Sequence, residues 1–150
     1  ALPNHSWAHF SCHGSRGTPQ EPLSSYAVTL SSWLHNAHLS LLKILEMRLP
    51  NGELAFLAAC HSAAGEPETP DEALSLFVTL QFCGFPRVIG TLWEMTDDDG
   101  PPLVERFYEH ILRYGIEDSA NELNLTIKSL QHNSETADPR RWATFVHIGV

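Results

Sequence analysis

Two residues in this sequence, a histidine and a cysteine, each stand near the end of a stretch that reads as a strand and are of types that do chemistry together. The run Trp7-Ala8-His9-Phe10-Ser11-Cys12-His13-Gly14 ends on a His-Gly pair. The run Glu53-Leu54-Ala55-Phe56-Leu57-Ala58-Ala59-Cys60-His61-Ser62 stops on a cysteine and passes into small polar residues. A thiol is a strong nucleophile only as the thiolate, and a nearby imidazole can take its proton. If the two runs are adjacent parallel strands, about 4.8 Å apart, His13 and Cys60 meet at one edge of the sheet. Gly14, without a Cβ, lets its backbone N–H approach a substrate closely. With the N–H of Cys60 it would form an oxyanion hole for a tetrahedral acyl intermediate. Small side chains at Ala58, Ala59, Ser62, Ala63 and Ala64 would keep the cleft open.

Plainer readings stand beside this one. A free cysteine at the end of an apolar strand commonly serves as a small core residue, and His-Gly is a common turn. Cys83, among Phe77, Leu80 and Phe82, reads as packing, and His5, His35, His38, His110 and His132 as surface or helix residues. His9, Cys12, His13, Cys60 and His61 also include soft metal ligands. Structural zinc sites, however, bring ligands in pairs such as C-x₂-C, and adjacent residues on a strand face opposite ways. Acids gather at Glu66, Glu68, Asp71 and Glu72 and again at Glu94, Asp97, Asp98 and Asp99. They read either as helix N-terminal acids, with Asp71 and Asp99 at cap positions, or as a pocket for a basic side chain.

The elements that position these residues alternate in type. Residues 7–11 form a strand that stops at Gly14, and Ser15 to Pro22 form a loop. Residues 25–30 suit a short strand or hairpin arm. Ser40 can cap a helix with Leu41, Leu42, Leu45 and Leu49 on one face, ended by Pro50-Asn51-Gly52. Strand 53–59 follows, then a loop from Ala63 to Pro70. Asp71 caps a helix through Leu74, Phe77, Val78 and Phe82 to Gly84. Arg87 to Trp93 is a strand, followed by the acidic turn 96–100. Pro101 and Pro102 open a helix through Leu103, Phe107, Ile111 and Leu112, and a further helix spans 116–131. After a polar stretch, Trp142 to Ile148 supplies a helical turn and a last strand. Strands alternating with helices indicate an α/β domain with a mainly parallel sheet. Its ligand crevice lies outside the C-terminal ends of the strands, so His13, Cys60 and the 93–99 segment converge on one rim.

Composition narrows the function. At 150 residues the chain fits one domain with a real core. The formal charge of −9 argues against a nucleic-acid phosphate surface and permits a basic peptide partner. No apolar run approaches the roughly 20 residues of a membrane span. Three unpaired-looking cysteines favour a reducing, cytoplasmic setting. The start at Ala1, without Met, suggests a piece of a longer chain.

Four ordered blocks resemble the CHAT domain, a caspase-like module often found with tetratricopeptide (TPR) repeats. They are the strand ending His13-Gly14; the run Leu57-Ala58-Ala59-Cys60 with Ser62 and Gly65; the stretch Glu72…Leu76…Phe85-Pro86-Arg87-Val88-Ile89-Gly90-Thr91-Leu92-Trp93; and the closing Pro139-Arg140-Arg141-Trp142-Ala143-Thr144-Phe145-Val146-His147-Ile148-Gly149. The resemblance spans about residues 7–149. It implies a caspase-like, Rossmann-type, mainly parallel sheet with flanking helices, and a cysteine peptidase of the caspase and separase clan. By position it implies His13 as general acid/base, Cys60 as nucleophile and Gly14 as oxyanion donor. It also implies a substrate pocket near Ala58, Trp93, Glu94 and Asp97, in which Asp97 would favour Arg or Lys before the scissile bond. Ser62 replaces the usual Thr and keeps the hydroxyl. The family's N-terminal strands, normally upstream of the His-Gly strand, are lacking. Residues 1–150 then read as the C-terminal portion of the domain, with one flank of the sheet left as an open edge. The expected partners are a peptide or protein substrate and TPR repeats or another activating partner, with no cofactor, metal, nucleic acid or membrane. The alternative is a non-catalytic CHAT-like interaction or signalling module using the same cleft.

Overall fold

A computed structural model of the chain describes residues 4–16, 26–32, 35–60, 70–93, 98–132 and 138–150; over 12–16, 26–32, 35–42, 59–60 and 70–75 the description is of the backbone. Among the described residues six strands form one sheet. They are β1 (Trp7–Arg16), β2 (Tyr26–Ser32), β3 (His35–Ser40), β4 (Leu54–Cys60), β5 (Arg87–Thr91) and β6 (Phe145–Gly149), in the spatial order β3-β2-β1-β4-β5-β6. The central β1, β4 and β5 are mutually parallel. The β2–β3 hairpin adds antiparallel on one side and β6 antiparallel on the other. The α/β architecture with a parallel centre and flanking helices is therefore as expected.

Strand alternation sorts the core into two layers. On β4, Ala55 and Leu57 face one way, toward α1 (Leu41–Glu46) and α2 (Pro70–Cys83), and join Phe10, Ile44, Leu76, Phe77, Leu80, Phe85 and Val88. Leu54 and Phe56 face the other way, toward α3 (Gly100–Tyr114) and α4 (Ser119–Gln131), with Ile89, Leu103, Phe107, Ile111, Leu123 and Phe145. β4 is apolar throughout because both its faces are covered. The short α5 (Pro139–Trp142) leads into β6; Asp138 caps it by accepting a hydrogen bond from the Arg140 N–H at 2.9 Å. That carboxyl is held below its usual range by its hydrogen bonds with Arg140.

Several boundaries differ from the sequence expectation. β1 does not stop at Gly14, because β2 extends the ladder to Arg16↔Tyr26. β2 lies on one side of β1 and β4 on the other, and among the described residues the sheet's edges are β3 and β6. His35 and His38 fall on β3, a strand that their polar neighbours conceal. α1 ends at Glu46, so Leu49 is buried from the following turn while Leu45 faces solvent and Ile44 fills the core. The buried stripe of α2 is Leu76, Phe77, Leu80 and Cys83, leaving Val78 and Phe82 exposed. Leu112 of α3 is likewise exposed. Asp71 sits inside the first turn of α2, which already begins at Pro70. β5 ends at Thr91, short of Trp93, and α4 starts at Ser119 rather than 116. Gly84, at φ 122°, closes α2 in a backbone conformation that L side chains avoid. Among the described residues no helix is long and apolar enough to cross a membrane.

Candidate active site

The parallel β1–β4 ladder runs from Trp7↔Leu54 to His13↔Cys60; β4 ends at that pair, while β1 continues to Arg16 along β2. Alternation explains the register. Trp7 and Phe56 pack toward α3, with His9 stacked on Phe56 at a ring-centroid distance of 5.1 Å and an interplanar angle of 6°. Positions 9, 11 and 13 of β1 oppose 56, 58 and 60 of β4, so the strand period that fixes His9 on Phe56 carries His13 to Cys60. Ala58, opposite Ser11, is half-buried against the α3 layer. Gly14 is the first residue of β1 past its parallel partner, and it is opposite Val28 of β2.

On the neighbouring strand, β5 delivers Trp93 just after Thr91. Trp93 is half-buried, and its indole Nε1–H donates to the Arg140 carbonyl at 2.9 Å. Its backbone is bracketed by Thr144: the Trp93 N–H donates to Thr144 Oγ1 at 3.2 Å, and that hydroxyl donates to the Trp93 carbonyl at 2.9 Å. Glu94 and Asp97 lie outside the described residues, as do His61, Ser62, Glu66 and Glu68. Asp98 is exposed. Asp99 occupies the N-cap position of α3 without making a side-chain cap bond. Its buried carboxylate instead receives Arg141, from Nε to Oδ2 at 2.7 Å and from Nη2 to Oδ1. Asp99 thus faces Arg141 instead of capping the helix.

The remaining candidates fall outside this rim. Cys83 is buried, its Sγ–H donates to the Ile44 carbonyl at 2.8 Å, and burial pushes its pKa up; it is a packing residue, as expected. His9 Nδ1 lies 3.0 Å from the Tyr108 hydroxyl; burial lowers the imidazole pKa and raises that of Tyr108 to about 12. His110 lies 2.9 Å from Glu122, on α3 and α4. Among the described residues no group of three or more His, Cys, Asp and Glu could hold a metal ion.

Residues 2–150 match the CHAT domain. The chain belongs to the CHAT-domain family. CHAT domains are a caspase-like, peptidase-related family, and the parallel centre with helices on both faces agrees with that membership. No curated protein matches this CHAT domain. Sequence reasoning gives Arg141 and Thr144 no role beyond the family's terminal block. The available signal was an Arg-Arg pair in a chain with only nine basic residues, one of which proves to reach a buried acid.

Proposed function

We propose that this CHAT domain is a cysteine endopeptidase in which Cys60 is the nucleophile and His13 the general acid/base. The observation that carries the reading is the terminal register pair His13↔Cys60 on two parallel strands, at the sheet edge where α/β folds bind ligands. In the proposed cycle His13 takes the Cys60 proton, and the thiolate attacks the scissile carbonyl carbon, forming a C–S bond. The carbonyl electron pair moves to oxygen, where the N–H groups of Gly14 and Cys60 stabilise the charge. The oxyanion collapses, the C–N bond breaks, and the imidazolium gives its proton to the leaving amine. Water, deprotonated by the same imidazole, then hydrolyses the thioester and releases the Cys60 sulfur.

We further propose that the substrate segment runs past Ala58 and Trp93, and that Glu94 and Asp97 favour Arg or Lys before the scissile bond. Two features support this. The chain carries a net charge of −9, which attracts basic peptides, and Asp99 is already paired with Arg141, leaving selection to Glu94 and Asp97. A protein partner such as attached TPR repeats would present substrate or switch the site on. The reading is tested with an irreversible thiol-directed peptide inhibitor carrying Arg. It should label Cys60 ahead of Cys12 and Cys83, and His13→Ala should slow that labelling. Equal labelling of the three thiols, or labelling unchanged by His13→Ala, would instead favour a non-catalytic module.

A further inference from the structure

The C-terminal half of α3 carries a cluster of polar side chains apart from the candidate active site. Arg106, Glu109, His110, Arg113 and Tyr114 stand at positions i, i+3, i+4, i+7 and i+8, which share one face of a helix. They line a groove of about 280 Å³. Tyr108 packs on Trp7, the first residue of β1, and Glu117, just past α3, reaches Arg87, the first residue of β5. This half of α3 therefore lies beside the N-terminal ends of the strands, at the opposite end of the sheet from Cys60 at the close of β4. The chain's net charge is −9, and Arg87, Arg140 and Arg141 each pair with a carboxylate. Arg106 and Arg113 are exposed, and among the described residues neither makes an ion pair or a side-chain hydrogen bond. Glu109 lies between them at spacings that allow an ion pair with either, yet among the described residues it pairs with neither.

The floor of the groove supplies a second, independent observation. His110 Nε2 lies 2.9 Å from Oε2 of Glu122 on α4, a side chain only 6% exposed. Among the described residues that oxygen accepts no hydrogen bond, so the contact is close without being aligned. A buried carboxylate oxygen left in this state is costly, and a proton on the imidazole supplies the missing counter-charge. An anion resting on the outer side of His110 favours the same proton. Tyr114, 68% exposed with its ring centroid 4.6 Å from that of His110, brings a phenol to the same wall. A carboxylate is satisfied by one guanidinium fork. Two forks, an imidazolium and a phenol hydroxyl suit an anion that presents oxygens on three sides. We infer that this groove binds a phosphate monoester, with Arg106 and Arg113 closing on its oxygens from either end and the His110 imidazolium beneath. Glu109, the acid of the wall, is exposed and can turn to water. The carrier of the phosphate is a phosphorylated side chain or a small molecule. Because the groove lies at the far end of the sheet, the inference does not depend on the peptidase reading.

The experiment titrates the ¹⁵N-labelled chain with phenyl phosphate, benzoate, inorganic phosphate and a neutral Gly-Ser peptide carrying one phosphoserine, following amide shifts by NMR. Phenyl phosphate should shift residues 106–114 and bind at least about ten-fold more tightly than benzoate, which offers one fewer face of oxygens. Arg106→Gln and Arg113→Gln should each weaken it by about ten-fold, the usual loss for a hydrogen bond to a charged group. His110→Gln should weaken it as well, and Arg113→Lys, which keeps the charge but loses the fork, should fall between wild type and Arg113→Gln. Both arginines are exposed, so the variants keep the fold, and unchanged shifts along β4 and β5 check this. A phosphopeptide that binds more tightly than inorganic and phenyl phosphate supports the site with a polypeptide as the carrier. Equal affinity for all three supports it with the phosphate group itself as the ligand. Benzoate binding as tightly as phenyl phosphate overturns the assignment to phosphate. Shifts confined to other residues, or an affinity unchanged in the double variant Arg106→Gln, Arg113→Gln, overturn the site.

Discussion

His13 and Cys60 are the last register partners of the parallel β1–β4 ladder, so neither can be moved along its strand without breaking the pairing that packs His9 on Phe56. If this pair is the proposed dyad, Cys60→Ala should abolish peptide hydrolysis. His13→Ala should lower kcat/KM by about 10²–10⁴-fold, the usual contribution of a positioned acid/base group. His9, four residues earlier on the same strand, is bonded to Tyr108, and His9→Ala should leave turnover near wild type. Steady-state rates on one peptide decide this, and equal losses from the two histidine variants would count against the assignment.

Gly90 shows how tightly β5 is seated between its neighbours. A Cβ added there would overlap the Phe77 ring, lying 2.6 Å from its Cζ and 3.2 Å from the Leu57 carbonyl oxygen. Phe77 is fully buried and has no solvent to retreat into. Gly90→Ala should therefore destabilise the fold by about 1–3 kcal/mol, the range for overpacked cores. Pairing it with Phe77→Leu should recover part of that loss, because the two sites are in contact. Urea unfolding of the four proteins gives the coupling directly, and simple additivity would mean that the ring is not what resists the methyl group.

Of the strands that build the candidate site, β4 was legible because it is buried on two faces and reads as an unbroken apolar run, and β1 because buried Ala8 and Phe10 alternate with exposed His9 and Ser11. The terminal pairing of His13 with Cys60 follows from parallel geometry once those strands are seen. β3 was not legible: in His35-Asn36-Ala37-His38-Leu39-Ser40 the apolar alternation is only Ala37 and Leu39, too short to read as a strand, and pairing with β2 supplies its structure. The helix faces were read one position out at Leu45 and Phe82, because both helices carry more apolar residues than one face accommodates. Asp99 looked like a helix cap by position. What overrides the cap is Arg141, 42 residues further along the chain, a tertiary contact that no local pattern announces.

Cys83 offers a contrast in thiol reactivity within one chain. Its Sγ–H is bonded to the Ile44 carbonyl, and burial raises its pKa, so little thiolate forms at neutral pH. In native protein Cys83 should resist alkylation until global unfolding. Cys83→Ala should cost about 1–3 kcal/mol, from the lost volume and the unsatisfied Ile44 carbonyl, without altering the labelling of Cys60. Mass mapping of alkylated peptides in native and denatured protein tests this. Rapid native labelling of Cys83 would show that the α1–α2 layer opens locally.

His147 ties the edge strand β6 to α4, its Nε2 lying 3.0 Å from the Ser119 hydroxyl. Burial and the nearby Arg87 guanidinium lower its pKa below the ordinary 6.5. Arg87 itself pairs with Glu117 at 2.7 Å, just ahead of α4. The folded state thus prefers the neutral ring, whereas the unfolded chain takes up a proton as pH falls below about 6.5. The stabilisation is complete above that pH and is lost as pH drops through the folded-state value. His147→Gln removes the titration, so it should be less stable than wild type at pH 7.5, and the gap should narrow by pH 5.5. The change should stay under about 1 kcal/mol, since the half-exposed ring is partly screened by solvent. Denaturant unfolding at the two pH values measures it, and comparing the two proteins cancels the parallel contribution of His9. A gap that widens toward pH 5.5 would mean that the protonated ring is the form the fold holds.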